Sequence, residues 1–381
     1  MRKILFIFGT RPEAIKLCPV VLHLRSSFKT EHIETRVCVT GQHRQMLDQV
    51  LAVFGVQPDH DLDVMLPGQT LFQSTARILS SLEQVLSEEQ PDMVLVQGDT
   101  TTTLCGALAA FYKRIPVGHV EAGLRTHDMA QPFPEEMNRV LTGRLATLHF
   151  AATEAAAANL RQEGVASTAI GVTGNTGIDA VLFVRDGLEQ GRLKGEAFDW
   201  IDSTKKLIVV TAHRRESFGA GFERICQALA ALSWRDDVQV VYPVHPNPNV
   251  QDPVNRILGS EPNIRLIEPL SYVPFVDLMR RSYLLITDSG GVQEEGPSLG
   301  KPILVLREKT ERPEAVEAGT VRLVGTEREK IVGEAVQLLE NRRVYEAMSR
   351  VHNPYGDGHA SGRISSLIHS FFGTNKFTPT P

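Results

Sequence analysis

The residues best suited to chemistry fall just after short apolar runs. Asp99 follows "DMVLVQG", Glu121 follows "IPVGHV", and Glu135 and Glu136 open a helix candidate in "QPFPEEMNR". Isolated acids at such places usually cap helices or face solvent. Three acidic positions bordering one ligand site suit general acid/base work, if burial and mutual repulsion raise one pKa toward neutrality. A second group is cationic. Arg11 and Lys16 in "FGTRPEAIKL" can bind phosphate or sugar oxygens, although Lys16 taken alone reads as surface charge. In "TAHRRESFG", His213 stands next to Arg214 and Arg215. That trio can hold a diphosphate and neutralise a departing one. Without the arginines, a structural histidine would be preferred.

The stretch "TDSGGVQEEGPSLGKP" runs from Thr287 to Pro302. Ser289 can cap the helix that follows, and Gly290 and Gly291 let the backbone approach a ligand. The free N–H groups of a first helical turn attract an anion. Glu294 and Glu295 come about a turn later, where a carboxylate can accept bonds from a ribose diol. The stretch reads as a nucleotide grip, with backbone for diphosphate and carboxylate for ribose. The competing reading is a tight strand–helix turn with solvated glutamates.

These residues need elements to hold them. Apolar runs rich in Val, Ile, Leu and Phe alternate with helix-length amphipathic segments. The runs are "KILFIFG", "TRVCVTG", "DMVLVQGD", "IPVGHVEAG" and "LHFAAT" in the first half, and "KKLIVVTAH", "VQVVYPVH", "NIRLIEP", "YLLITDSGG" and "KPILVL" in the second. Near-continuous apolar strands imply parallel sheets covered on both faces. The expected class is α/β, with two doubly wound Rossmann-type domains and the ligand site in the cleft between them. The domains are expected at 1–174 and 175–357, with a last helix near 358–372 packing back onto the first. The segment 185–206 reads as a polar surface excursion, and the tail after residue 372 as poorly ordered.

Composition excludes several classes. The chain has 381 residues, 42% hydrophobic and 22% charged, with a net charge of -5 and no long run of one sign. That is a soluble globular balance and argues against nucleic-acid binding. No apolar stretch reaches the roughly 20 residues of a membrane span. "MRKILFIFGTRPE" reads as a first strand, because Arg11, Pro12 and Glu13 end the apolar run too soon for a signal peptide. Cys18, Cys38, Cys105 and Cys226 are scattered, which suggests reduced thiols in a cytoplasmic protein. There is no HExxH, no CxxC pair and no GxGxxG after the first strand, so neither metal nor NAD is expected.

Taken together, "GTRPEAIKL", "GQHRQML", "VQGDTTTT", "HVEAGLRT", "PFPEEMNR", "TGNTGIDA", "HRRESFG", "YPVHPNPNV", "TDSGGVQEEGPSLGKP", "RPEAVEAGT" and "NPYGDGHAS" resemble the non-hydrolysing UDP-N-acetylglucosamine 2-epimerases. The likeness extends from the first strand to the last helix. It implies a glycosyltransferase-B-like fold and reversible conversion of UDP-N-acetylglucosamine to UDP-N-acetylmannosamine, without a cofactor. The product would feed bacterial surface polysaccharides such as enterobacterial common antigen or capsule. The hydrogen on carbon 2 is weakly acidic because no carbonyl adjoins it. The family therefore eliminates UDP to give 2-acetamidoglucal and adds it back, with a proton delivered to the other face.

Position by position, the resemblance implies proton transfer by Asp99, Glu121 and Glu135, and a functional His213 near the diphosphate. It puts Arg11 and Lys16 in a ligand motif. Ser289, Gly290 and Gly291 would bind the diphosphate and Glu295 the ribose. Arg312 would lie at the phosphate end, and Tyr272 and Phe275 would border the uracil. Gln42, His43 and Gln45, with Arg214 and His245, match a region where some members bind a second UDP-N-acetylglucosamine as activator. Where those members carry Arg before "QTL", this chain has Gly68. A homodimer is implied. The rivals are a UDP-sugar-dependent glycosyltransferase, a hydrolysing epimerase releasing free N-acetylmannosamine, and a non-catalytic UDP-sugar sensor. The first-domain acids favour the epimerase over the glycosyltransferase and the sensor.

Overall fold

The computed structural model describes residues 1–31, 33–41, 44–66, 68–310 and 312–374. The chain forms two compact units, one of Met1–Ala180 with the segment from Gly356 onward, the other of Val181–Tyr355.

In the first unit the order is β1 (Arg2–Phe8), α1 (Arg11–Glu31), β2 (Ile33–Val39), α2 (Arg44–Phe54), β3 (His60–Asp61), α3 (Leu71–Glu89), β4 (Met93–Gln97), α4 (Thr101–Tyr112), β5 (Val117–Ala122), α5 (Glu135–Leu145), β6 (Leu148–Ala151), α6 (Glu154–Gln162) and β7 (Ile170–Val172). The chain passes from the first unit to the second within α7 (Thr176–Glu189), between Ala180 and Val181. The second unit contains β8 (Lys206–Thr211), α8 (Ala220–Ser233), β9 (Val238–Pro243), α9 (Pro248–Leu258), β10 (Ile264–Ile267), α10 (Tyr272–Arg281), β11 (Leu284–Thr287) and α11 (Gly290–Glu295). It continues with β12 (Ile303–Val305), α12 (Pro313–Glu317), β13 (Val321–Leu323), α13 (Arg328–Glu340) and α14 (Arg342–Ser349). The chain then returns to the first unit as α15 (Ala360–Thr374), which packs on α1. Asp179 accepts the backbone N–H groups of Ala360 and Ser361 at 3.2 and 2.8 Å, satisfying orphan donors at the start of α15.

Among the described residues, the first sheet has the order β3-β2-β1-β4-β5-β6-β7 and the second β10-β9-β8-β11-β12-β13, with all pairs parallel. Both orders reverse direction once, between β1 and β4 and between β8 and β11. Such a switch point opens a crevice at the carboxyl ends of the strands. The central strands are fully buried, as their unbroken apolar runs require: Ile4 to Phe8 and Met93 to Val96 have no exposed surface.

Three strands, β3, β7 and β13, are absent from the reading of the sequence. β3 has only two residues, both polar, and Gly171 and Arg322 interrupt the three-residue β7 and β13, so none leaves an unbroken apolar run. The segment 185–206 is not wholly a surface excursion either. Arg185 to Glu189 complete α7, whose buried Ile178, Val181, Val184 and Gly187 recur at three-residue spacing. The tail differs too: α15 includes Gly373 and Thr374, and residues 375–381 lie outside the described residues. All four cysteines are buried and free, and burial pushes each thiol up to about 12, so they are protonated at neutral pH.

The first switch point is held by Glu13. Thr10 and Glu13 have capping-box spacing at the start of α1. One Glu13 carboxyl oxygen accepts the backbone N–H groups of Gly9 and Thr10 at 3.0 and 2.7 Å. The other accepts the hydroxyls of Thr100 and Thr103 at 2.7 and 3.1 Å, from the turn after β4. Thr100 is itself the N-cap of α4. Glu13 is 1% exposed, and burial raises its pKa above the usual carboxylate range against the pull of these donors. Arg11 takes the first helical position and Pro12 the second, where its missing N–H costs nothing in the first turn.

Glu13→Ala strands two backbone donors and two hydroxyls, and is predicted to destabilise the protein by about 3 kcal/mol in urea titration. Glu13→Gln keeps acceptor and donor on the two sides and is predicted to cost less. The raised folded pKa means that the native state binds more protons than the unfolded state above the ordinary carboxylate pKa. Stability should therefore fall as pH rises through that window in the wild type, with a flatter profile in Glu13→Gln.

Candidate functional site

Each unit presents its chemistry on the turns after its strands. In the first, Asp99 follows β4 and Gly98, which has φ +72°. Its carboxylate pairs with Arg139, and its backbone carbonyl accepts a bond from Asn138 at 2.9 Å. Both partners lie on α5, so α5 locks the Asp99 turn. Glu121 sits at the end of β5, where the pairing with β6 slips by one residue, and has φ +63°. A bulge re-aims a side chain, and a non-glycine residue at positive φ is a strained backbone held by its surroundings. Here the holding groups are Lys16 and Gln97, which bond the two carboxylate oxygens. Lys16 is thus no surface charge: its side chain is 17% exposed and ion-paired.

Glu135 and Glu136 are adjacent but differ in environment. Glu136 is buried and accepts the backbone N–H groups of Thr126 and His127 at 3.0 and 3.1 Å, with Arg139 at 3.2 Å. Glu135 is half-buried and has no hydrogen bond or ion pair among the described residues. Asp99 and Glu121 are each set against a cation, which fixes their orientation. Arg11 is half-buried at the start of α1.

In the second unit, Asp288 carries the switch point. It is 1% exposed, and one oxygen accepts the backbone N–H groups of His213 and Arg214 at 2.6 and 2.7 Å. His213 stacks on His245 with ring centroids 5.3 Å apart. The His213 side chain is 41% exposed, and its partial desolvation lowers its pKa; Asp288 opposes this, while His245 and Arg214 add to it. Arg215 is exposed. Ser289 is the N-cap of α11, but its side chain makes no capping bond, contrary to expectation; its own N–H donates to the Thr287 hydroxyl at 2.9 Å. The two glutamates of α11 divide. Glu294 is buried and holds Arg312 at 2.6 Å, whereas Glu295 is half-buried. A Cβ on Gly290 would lie 2.5 Å from the Arg312 guanidinium, so only glycine lets that cation lie against the first residue of α11. Gly291 is exposed. Tyr272 is buried at the start of α10 and Phe275 half-buried one turn on.

Gln42 and His43 lie outside the described residues, as does the side chain of Gln45. No group of three or more His, Cys, Asp or Glu among the described residues is arranged to hold a metal ion. No helix of the described residues is long and apolar enough to cross a membrane. Reading the motifs missed Gln97, Arg139 and Asp288, which touch the expected site residues Glu121, Asp99 and His213, and Glu13, which holds the turns beside Arg11 and Asp99. Signals existed for two of them: the Thr10–Glu13 spacing, and an acid directly before the α11 N-cap.

The family model described as UDP-N-acetylglucosamine 2-epimerase matches residues 26–369. The UDP-N-acetylglucosamine 2-epimerase of Escherichia coli K12 is 59% identical over 371 residues, covering 96% of this chain and 98% of that protein. The enzyme of that name from Campylobacter jejuni is 49% identical, covering 97% of each. A crystal structure of UDP-GlcNAc 2-epimerase from Neisseria meningitidis bound to UDP-GlcNAc superposes with a TM-score of 0.88 at 49% identity, covering 97% of this chain and 100% of that one. With its two parallel sheets and the carboxylates and cations set at their strand ends, this chain belongs to the UDP-N-acetylglucosamine 2-epimerase family, whose members are isomerases.

Proposed function

We propose that this chain interconverts UDP-N-acetylglucosamine and UDP-N-acetylmannosamine reversibly and without hydrolysis, by eliminating UDP to 2-acetamidoglucal and adding it back. The observation that carries this reading is Glu121: a carboxylate on a strained bulge, held at both oxygens by Lys16 and Gln97. Strain of that kind persists where a side chain must be aimed. Inversion at carbon 2 removes a proton from one face and returns one to the other, so it needs more than one proton-transfer group. Asp99, Glu121 and Glu135 are assigned that work. His213, Ser289, Gly290, Gly291 and Arg312 are assigned the diphosphate, with Arg11 and Lys16 as further ligand cations. Glu295 takes the ribose, and Tyr272 and Phe275 the uracil. Elimination and re-addition involve no net redox change, so no redox cofactor enters.

The reading extends to a cytoplasmic homodimer supplying bacterial surface polysaccharide synthesis. Phe72 on α3 is 88% exposed, and we assign it to the dimer contact.

Proton NMR of UDP-N-acetylglucosamine with the pure protein, without metal or NAD, should show UDP-N-acetylmannosamine growing in. Release of free N-acetylmannosamine would select the hydrolysing reaction, and transfer only in the presence of an acceptor would select the glycosyltransferase. Asp99→Asn and Glu121→Gln are each predicted to lower kcat by about 100-fold or more while UDP still binds in calorimetry. Near-normal turnover in both would refute the residue assignment. Light scattering should give twice the chain mass for the wild type and a smaller mass for Phe72→Asp; a wild-type monomer would contradict the dimer.

A further inference from the structure

Asp288 has a second oxygen that the turn does not use. Oδ2 takes the two backbone N–H groups. Oδ1 is buried and has no hydrogen-bond partner. It faces His213 Nδ1 at 3.4 Å. A buried carboxylate oxygen without a donor is costly, and the imidazole nitrogen is the donor set against it. The separation exceeds a normal hydrogen bond, and such contacts tighten when a ligand closes on the site.

We propose that Asp288 is the positioning residue for His213: it takes the Nδ1 proton, fixes the ring, and presents Nε2 to the ligand. The inference rests on the reading above for what His213 does, but not for how the ring is held. No proton passes to Asp288; its role is to select the tautomer and to balance charge when the ring is protonated. The stacked neighbour supports the arrangement. His245 Nδ1 accepts the backbone N–H of Asn247 at 3.1 Å, so neutral His245 carries its proton on Nε2. The pair would thus hold opposite tautomers, each set by a fixed partner. The charged and titratable groups acting on His213 are Asp288, His245 and Arg214. Asp288 alone favours the cation, so its removal should lower the His213 pKa.

The test is long-range proton–nitrogen NMR of histidine-labelled wild-type protein, free and with UDP. His213 is identified among the 12 histidines by the signals lost in His213→Gln. The neutral ring should carry its proton on Nδ1 in the UDP complex. A proton on Nε2 in both states would overturn the proposal. Asp288→Asn keeps an oxygen for the two backbone donors but turns an amide N–H toward Nδ1. It should shift the proton to Nε2 and lower kcat by about 100-fold, with UDP affinity retained. An unchanged tautomer in a folded Asp288→Asn protein would also overturn it. If that variant does not fold, the wild-type spectrum decides alone. The tautomer is read without turnover, so a protein that proved not to epimerise would leave this result standing.

Discussion

A switch point opens a crevice at the strand ends, and it also strips the turns there of sheet partners. Both units meet this constraint with one buried carboxylate. Glu13 gathers the N–H groups after β1 and the threonine hydroxyls after β4. Asp288, just after β11, gathers the N–H groups after β8. Each acid satisfies backbone donors that would otherwise be buried without partners, and each ties together the two strands between which the sheet order reverses. The groups assigned to the proposed reaction stand at or next to these turns: Arg11 and Asp99 in the first unit, His213 and Ser289 in the second, with Arg214 beside them.

The next layer is a set of charge pairs that orient the working side chains. Arg139 holds Asp99, Lys16 holds Glu121 and Glu294 holds Arg312. These pairs are partly or largely buried, so they resist screening more than surface pairs do. They also divide the labour of the proposed reaction. The first unit carries the oriented carboxylates, and the second carries the groups assigned to the diphosphate. Glu135, with no partner among the described residues, contrasts with Glu136 beside it, whose bonds to Thr126, His127 and Arg139 make it part of the scaffold.

Much of this was legible in the sequence, for physical reasons. Parallel strands buried on both faces leave unbroken apolar runs, so β1, β4, β8 and β11 could be placed by eye, and with them the residues after each strand. The two-residue β3 leaves no such run. Gly290 was read as a place where the backbone is approached closely, but that the Arg312 guanidinium lies against it was not in the sequence. What could not be read were contacts between residues far apart in the chain. Glu13 meets Thr100 and Thr103 only because β1 and β4 are sheet neighbours. Lys16 meets Glu121 across 105 positions, which turns an apparent surface lysine into a partner of the proposed catalytic acid. Ser289 shows the converse limit. Its position is that of a cap, but the Thr287 hydroxyl already holds the turn, and its own hydroxyl makes no capping bond.

The central claim is that oriented carboxylates in the first unit exchange the carbon 2 proton of a nucleotide sugar while the second unit holds the diphosphate. Incubation of UDP-N-acetylglucosamine with the protein in D2O, followed by NMR at carbon 2, tests it most directly. The account predicts one deuterium at carbon 2 of the UDP-N-acetylmannosamine formed, entering from solvent at the inverted centre. Inversion with the original hydrogen retained would contradict it.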